Sequence, residues 1–282
     1  MIARRLPRDV FLGLAVAFVG IRLVGLAPWD QSVDAYAYWS TRDGTLYEGS
    51  SVGVLGSYLY SPAFALLIAP VSWLPWNLFN AAWTAMNIGI VWSLAGRWSL
   101  LALLFLPIPG EIVAGNVHLI YAAVAVFGLR YPVLWVIPLI TKVTPGIGLL
   151  WFAVRREWRS LAIALGATGA LVAVSFVLVP SAWSEWTALL LGSDPAPTET
   201  PGYFIPVPLP IRLVAAAAIV VWGARTDRAW VLPIAMTLAL PVLWLNGLAT
   251  LAGLAPTLIA RYRQRQALRP ADGTDLRSTI PA

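Results

Sequence analysis

The 282-residue chain has no cysteine, one histidine (His118) and one lysine (Lys142), and charged residues make up 11% of it. The missing cysteines exclude disulfides, thiolate metal sites and cysteine nucleophiles. The scarcity of charge, against about 25% in soluble domains, excludes an ordinary soluble fold. What fills the chain instead is apolar: 59% hydrophobic residues, 15 tryptophans and a mean hydropathy of +0.76. This composition describes a polytopic membrane protein. The formal charge of +6 does not point to nucleic acid, because the arginines cluster between apolar segments, where membrane orientation requires them.

The interval 27–60 departs most from this background. It contains Asp30, Asp34, Asp43 and Glu48 with Arg42 as its basic residue, so it belongs outside the lipid. Its chemical centre is Asp34, within Val33-Asp34-Ala35-Tyr36-Ala37-Tyr38-Trp39. Residues 35–41 have the pattern of a short amphipathic helix on the membrane surface, with Tyr38 and Trp39 at the interface.

Arg4, Arg5 and Arg8 precede an apolar span, 10–27, which reads as a retained anchor rather than a cleaved signal. The positive-inside rule puts the N-terminus in the cytoplasm and the acidic loop outside. Arg22, near the outer end of this span, is expected to snorkel. Segments 62–74 and 77–95 read as a hairpin. The short run 98–115, with Glu111 near its end, reads as a re-entrant excursion. Segment 117–129 runs inward, and 131–140 and 144–154 form a short pair with Lys142 at the tip. Segment 161–179 leads to a second external loop, 180–210, stiffened by Pro195, Pro197, Pro201, Pro206, Pro208 and Pro210. In that loop Trp183 and Trp186 are expected to dip into lipid. Segment 211–223 returns, and 230–245 and 247–260 form a last hairpin ending at Arg261, Arg263 and Arg265. Arg97 and Arg212 are expected to be interfacial anchors. The result is one all-α transmembrane domain, 1–265, with about ten crossings plus a re-entrant or short helix, and both termini cytoplasmic. Residues 266–282 read as a disordered cytoplasmic tail.

An outward-facing carboxylate, an intramembrane cation and a Gly115-Asn116-Val117-His118 corner form a minimum set for moving a group off a lipid phosphate. The carboxylate accepts a proton from a hydroxyl, and the cation and amide stabilise a departing phosphate. Spacing alone does not single out this reaction. Asp34 also reads as a solvated loop acid, His118 as a helix-end histidine, and Lys142 as a partner of Glu111.

The order of these motifs resembles the GT-C glycosyltransferases. An N-terminal helix is followed by Asp34-X-Tyr36-X-Tyr38, Tyr60-Ser61-Pro62, Gly115-Asn116-Val117-His118 and Lys142-Val143-Thr144-Pro145. Within that group the chain is most similar to glycosyltransferase family 87, the polyprenyl-phosphate-mannose-dependent mannosyltransferases of bacterial envelopes. The family usually carries Gly-Gln-X-Asn where this chain has Gly-Asn-X-His.

The resemblance implies a GT-C-like bundle in the bacterial plasma membrane, with its active site facing outside. It implies an inverting hexosyl transfer, without metal or cofactor, from a polyprenyl-phosphate sugar to a glycolipid or glycan acceptor. Asp34 would be the general base. Lys142, His118 and Asn116 would contact the donor phosphate, and Tyr36, Tyr38, Tyr60 and Glu111 would line the substrate site. Two other readings remain open: a transporter or lipid flippase with a midplane site between repeated halves, and an inactive scaffold.

Overall fold

The structure is a computed structural model, and it describes residues 6–27, 30–51, 54, 56–192 and 205–268. Among these the fold is helical, with no β-strand. Its helices in chain order are α1 (Leu6–Val24), α2 (Val33–Trp39), α3 (Pro62–Ser72), α4 (Trp76–Ala95), α5 (Ser99–Ala102), α6 (Pro107–Ala114) and α7 (His118–Phe127). They continue with α8 (Val136–Thr141), α9 (Leu150–Val154), α10 (Trp158–Leu178), α11 (Pro180–Gly192), α12 (Leu209–Arg225), α13 (Val231–Leu238) and α14 (Ala255–Ala267). Arg4, Arg5, Pro195, Pro197 and Pro201, all named above, lie outside the described residues.

Two helical stretches, 76–102 and Trp158–Leu178, are long and apolar enough to cross a membrane. The bent pair α6 and α7 adds a third if taken as one span, its axes meeting at 115°. Many other pieces are short, and the sequence explains why. Proline starts α3 at Pro62, where a missing N–H costs nothing, and Ser61 before it is extended, with ψ of 157°. Pro107 starts α6, and Gly115 ends it with φ of 75°. Helix α10 fully buries only Ala164 and Ser175; Leu161, Ala167, Leu171 and Val172 pack partly against the core, and Val174, Phe176, Val177 and Leu178 are exposed. In water such an exposed face would be an association site; on a helix long and apolar enough to cross a membrane it suits contact with lipid.

Three expectations change on contact with the fold. Arg22 does not snorkel: it is fully buried, and its Nη2 donates to the Val113 carbonyl at 2.9 Å. Arg212 is likewise buried rather than interfacial. It donates to the carbonyls of Val207, Leu238, Leu240 and Pro241 at 2.6–3.0 Å. Both arginines turn inward because helix ends leave carbonyls that no water can satisfy. The segment expected as a second external loop begins as a helix, α11, and its Trp186 Nε1 donates to the Leu59 carbonyl at 3.1 Å rather than dipping into lipid. Of the tail, 266–267 complete α14, and 269–282 lie outside the described residues.

Candidate active site

The site forms where α2 rests on the corner between α6 and α7. A side chain at Gly115 would bring its Cβ within 2.7 Å of Ala35 Cβ, so only glycine allows α2 to approach this closely. Ser32 Oγ donates to Val113 O at 3.0 Å, and Trp83 Nε1 donates to Gly115 O at 2.6 Å, fixing the corner from both sides. Asp34, in the first turn of α2, thereby lies within electrostatic reach of the Asn116 side chain.

Asn116 is the hub of the cluster. Its Oδ1 accepts from the Val117 N–H at 2.7 Å, the Tyr60 hydroxyl at 3.2 Å and Lys142 Nζ at 3.4 Å. Three donors on the oxygen set the orientation of the amide and leave its NH₂ group as the donor available to the Asp34 carboxylate. Tyr38 and Tyr60 share a hydroxyl contact of 2.9 Å, and Tyr47 donates to the Tyr60 carbonyl at 2.7 Å. This chain of tyrosines ties the segment after α2 to the site. Tyr38 is therefore fully buried, a core residue rather than an interfacial one. Tyr36 points the other way: it is 49% exposed and packs against Trp39 and Trp76, apart from this network.

A second chain of contacts leads from Lys142. Its Nζ lies 2.8 Å from His118 Nε2, and His118 Nδ1 lies 3.0 Å from Glu111 Oε2. An ammonium can only donate, so Nε2 accepts and the Nδ1–H donates to the carboxylate. Glu111 is fully buried; its Oε1 accepts the His118 backbone N–H at 2.6 Å and its Oε2 accepts from Asn246 Nδ2 at 3.0 Å. Glu111 thus holds His118 rather than contacting Lys142 directly.

The backbone after Lys142 is strained. Val143 has φ of 52° and ψ of −59°, and the Thr144 N–H donates to the Lys142 carbonyl at 2.6 Å. This is a γ-turn at a β-branched residue, a conformation costing about 1–3 kcal/mol. The turn ends α8 and directs Lys142 into the cluster. Strain of this kind collects at sites where position matters more than stability.

Asp34 is electrostatically tuned. Burial raises its carboxyl from the ordinary 3.8 to about 6, with the Glu111 charge adding to the rise and Lys142 and Asn116 opposing it. A carboxylate with this value accepts protons effectively near neutral pH.

The structure therefore brings together Asp34, Tyr38, Tyr60, Glu111, Asn116, His118 and Lys142, and leaves Tyr36 at the outer edge. Sequence reasoning missed Asn246, Trp83 and Val143. Asn246 carried a usable signal, as a lone amide at the break of an apolar hairpin. Among the described residues, no group of three or more His, Asp or Glu side chains could hold a metal ion.

Comparison with known proteins gives two findings. Residues 58–271 match glycosyltransferase family 87. This range contains Tyr60, Glu111, Asn116, His118 and Lys142 and begins after Asp34. The chain is also 24% identical to a polyprenol-phosphate-mannose-dependent alpha-(1-2)-phosphatidylinositol mannoside mannosyltransferase of Mycobacterium tuberculosis, over 64% of this chain and 53% of that protein. The chain thus spans about half the length of this curated relative. No solved structure matches it.

Proposed function

Because the chain belongs to glycosyltransferase family 87, we propose that it transfers a hexose, specifically mannose, from a polyprenyl-phosphate donor to a glycolipid or glycan acceptor. The observation that carries this reading is that the Asp34 carboxylate and the Lys142 ammonium, which lies 3.4 Å from Asn116 Oδ1, act on each other beside the Asn116 side chain. A base and a leaving-group cation on either side of a single side chain suit an in-line displacement at a sugar carbon.

In this mechanism the Asp34 carboxylate takes the proton of an acceptor hydroxyl. The hydroxyl oxygen then bonds to the anomeric carbon as the bond from that carbon to the phosphate oxygen breaks, with inversion. The electron pair leaves on polyprenyl phosphate, whose oxygens are met by Lys142 Nζ, with His118 and the Asn116 amide beside it. Glu111 holds His118 in the tautomer that accepts from Lys142, keeping the lysine proton-rich toward the phosphate. Tyr60 and Tyr38 fix Asn116, and Tyr36 borders the acceptor entrance from the exposed side of α2.

The same reading sets the topology: about ten crossings in a bacterial plasma membrane, with both termini cytoplasmic and the site facing outward. It is supported by the arginines that flank Trp158–Leu178 and α14 on one side and the acids of 27–60 on the other. Transport and flipping are less favoured, since neither gives the Asp34 carboxylate a role.

The test is direct. The full chain in lipid nanodiscs is incubated with polyprenyl phosphate mannose and a mannosylated phosphatidylinositol acceptor, and the product linkage is read by NMR. Mannosyl transfer with inversion, unaffected by a metal chelator, is expected. Use of a different polyprenyl-phosphate hexose would replace mannose, and failure with every such donor would overturn the reading.

A further inference from the structure

The C-terminal third of the chain carries none of the four sequence motifs, yet it reaches into the site. Asn246 lies at the start of the 245–254 segment, and its Nδ2 donates to Glu111 Oε2 at 3.0 Å. That same oxygen receives the His118 Nδ1–H at 3.0 Å, and His118 Nε2 faces Lys142 Nζ at 2.8 Å. Asn246 thus begins a chain of three hydrogen bonds that ends on the ammonium assigned to the donor phosphate.

Several contacts hold Asn246 in this place. Arg212, near the start of α12, donates to the carbonyls of Leu238, Leu240 and Pro241, which closes the end of α13 and fixes the turn that follows. The Leu243 carbonyl takes the Ile205 N–H at 2.8 Å, and the Gly247 N–H donates to the Trp244 carbonyl at 2.9 Å. A Cβ at Gly247 would come within 2.7 Å of Leu240 Cδ1 and 3.7 Å of His118 Nε2, so the missing side chain lets this segment lie against the imidazole. Four residues after Asn246, Thr250 Oγ1 donates to the His118 carbonyl at 3.4 Å.

The donor count on Glu111 gives Asn246 its role. The carboxylate is fully buried and accepts three N–H groups: the His118 backbone on Oε1, and the His118 ring and the Asn246 amide on Oε2. The last torsion of a glutamate is soft, so its plane is set by the donors it meets. With the amide in place, Oε2 is held toward Nδ1–H. Without it, the carboxylate turns more freely and the ring is released to the Nε2–H tautomer, which cannot accept from an ammonium.

We propose that Asn246 is a positioning residue for the donor-phosphate cation: through Glu111 it keeps His118 as the Nδ1–H tautomer, whose bare Nε2 aims Lys142 Nζ. The inference rests on the transferase reading and extends it to the C-terminal hairpin, which thereby takes part in donor binding. Asn246 acts through Glu111 and His118.

The chain has one histidine and one lysine, so ¹⁵N-labelled histidine in the full chain in nanodiscs reports His118 alone. In the wild type the ring should show one protonated nitrogen, Nδ1, and one bare nitrogen, Nε2. Asn246→Ala and the apolar near-isostere Asn246→Leu both remove the donor. Each should mix the two tautomers and raise the KM for polyprenyl phosphate mannose about 10–100-fold, with a smaller fall in kcat. Asn246→Gln, which keeps an amide on a longer arm, should recover part of both. Thr250→Val removes a contact between the same two segments without reaching Glu111, and should change neither. A ring that stays wholly Nδ1–H in both donor-less variants, or a donor KM within about twofold of wild type, would overturn the role of Asn246. Equal changes in Thr250→Val would reduce Asn246 to packing and overturn it as well. The two readings fail separately. Hexosyl transfer with an unmoved tautomer overturns the positioning role alone; a tautomer that shifts in a chain whose wild type transfers no hexose overturns the transferase reading and the donor role with it.

Discussion

Replacing Asp34 by asparagine should make the protein both inactive and more stable, a combination that a merely structural aspartate would not give. The fold prefers the protonated carboxyl, since burial raises it from 3.8 to about 6. Whatever stability this group contributes is therefore complete below pH 3.8 and lost as pH climbs through about 6. At pH 7.5 the ionised form costs up to about 3 kcal/mol, at about 1.4 kcal/mol for each pH unit between the two values. Asparagine keeps an oxygen for the Asn116 NH₂ and carries no charge, so Asp34→Asn should regain most of that cost. Loss of a general base should reduce turnover by about 10²–10⁴. The assays are mannosyl transfer and thermal unfolding in nanodiscs at pH 7.5 and pH 4.5, with the stability gain shrinking at the lower pH. In the wild type, kcat/KM for the acceptor should fall about tenfold per pH unit below 6. A variant retaining more than about a tenth of wild-type turnover would refute the base assignment. One that is inactive but less stable at pH 7.5 would refute the account of burial.

Further outcomes follow from the same contacts. Lys142→Met should raise the donor KM and, by removing the positive charge that opposes the rise of the Asp34 carboxyl, move the acid limb of the pH profile up. An unmoved limb would separate the two groups. Glu111→Gln should move the same limb down and reduce turnover by about 10–100-fold through misplacement of His118; an unchanged profile would remove Glu111 from the field of Asp34. Gly115→Ala, at φ of 75° and with Ala35 in the way, should cost about 1–3 kcal/mol and displace α2, which is read as lower unfolding temperature and lower kcat together. Val143→Gly should relieve the γ-turn and raise stability by about 1 kcal/mol while loosening Lys142. Its expected signature is a higher unfolding temperature with a higher donor KM.

Most of the residues that the fold clusters at the candidate site could be picked out in the sequence because polar residues are rare in this chain. A lone lysine, a lone histidine and a loop carboxylate in an apolar background have few roles, and their order along the chain suggested one. Tyr60 and Asn116 came with them through their motifs. What could not be read was direction. Tyr36 and Tyr38 sit two residues apart on a short helix, and nothing local says which of them faces in. Asn246, 135 residues from Glu111, becomes a partner only through the packing of the segment 245–254 against α7. The buried roles of Arg22 and Arg212 depend on where helices stop, and boundaries are the least legible feature of a sequence whose segments are all apolar.

Those boundaries explain the site more deeply than any motif does. The break at Gly115 ends α6 and starts α7 inside the protein, leaving carbonyls on one side and N–H groups on the other without helical partners. Val113 O takes donors from Arg22 and Ser32, and Gly115 O takes one from Trp83. On the other side, the Val117 N–H goes to Asn116 Oδ1 and the His118 N–H to Glu111 Oε1. Two candidate site residues are therefore also the caps of α7, and capping aims the rest of each side chain: Asn116 toward Asp34 and Lys142, Glu111 toward the His118 ring. Repairing the break with a continuous helix would satisfy the backbone internally and remove the reason for these side chains to meet. In a chain with so little charge to spend, an interrupted helix is what gathers polar groups at one point, and the chemistry proposed here uses groups that the interruption already had to supply.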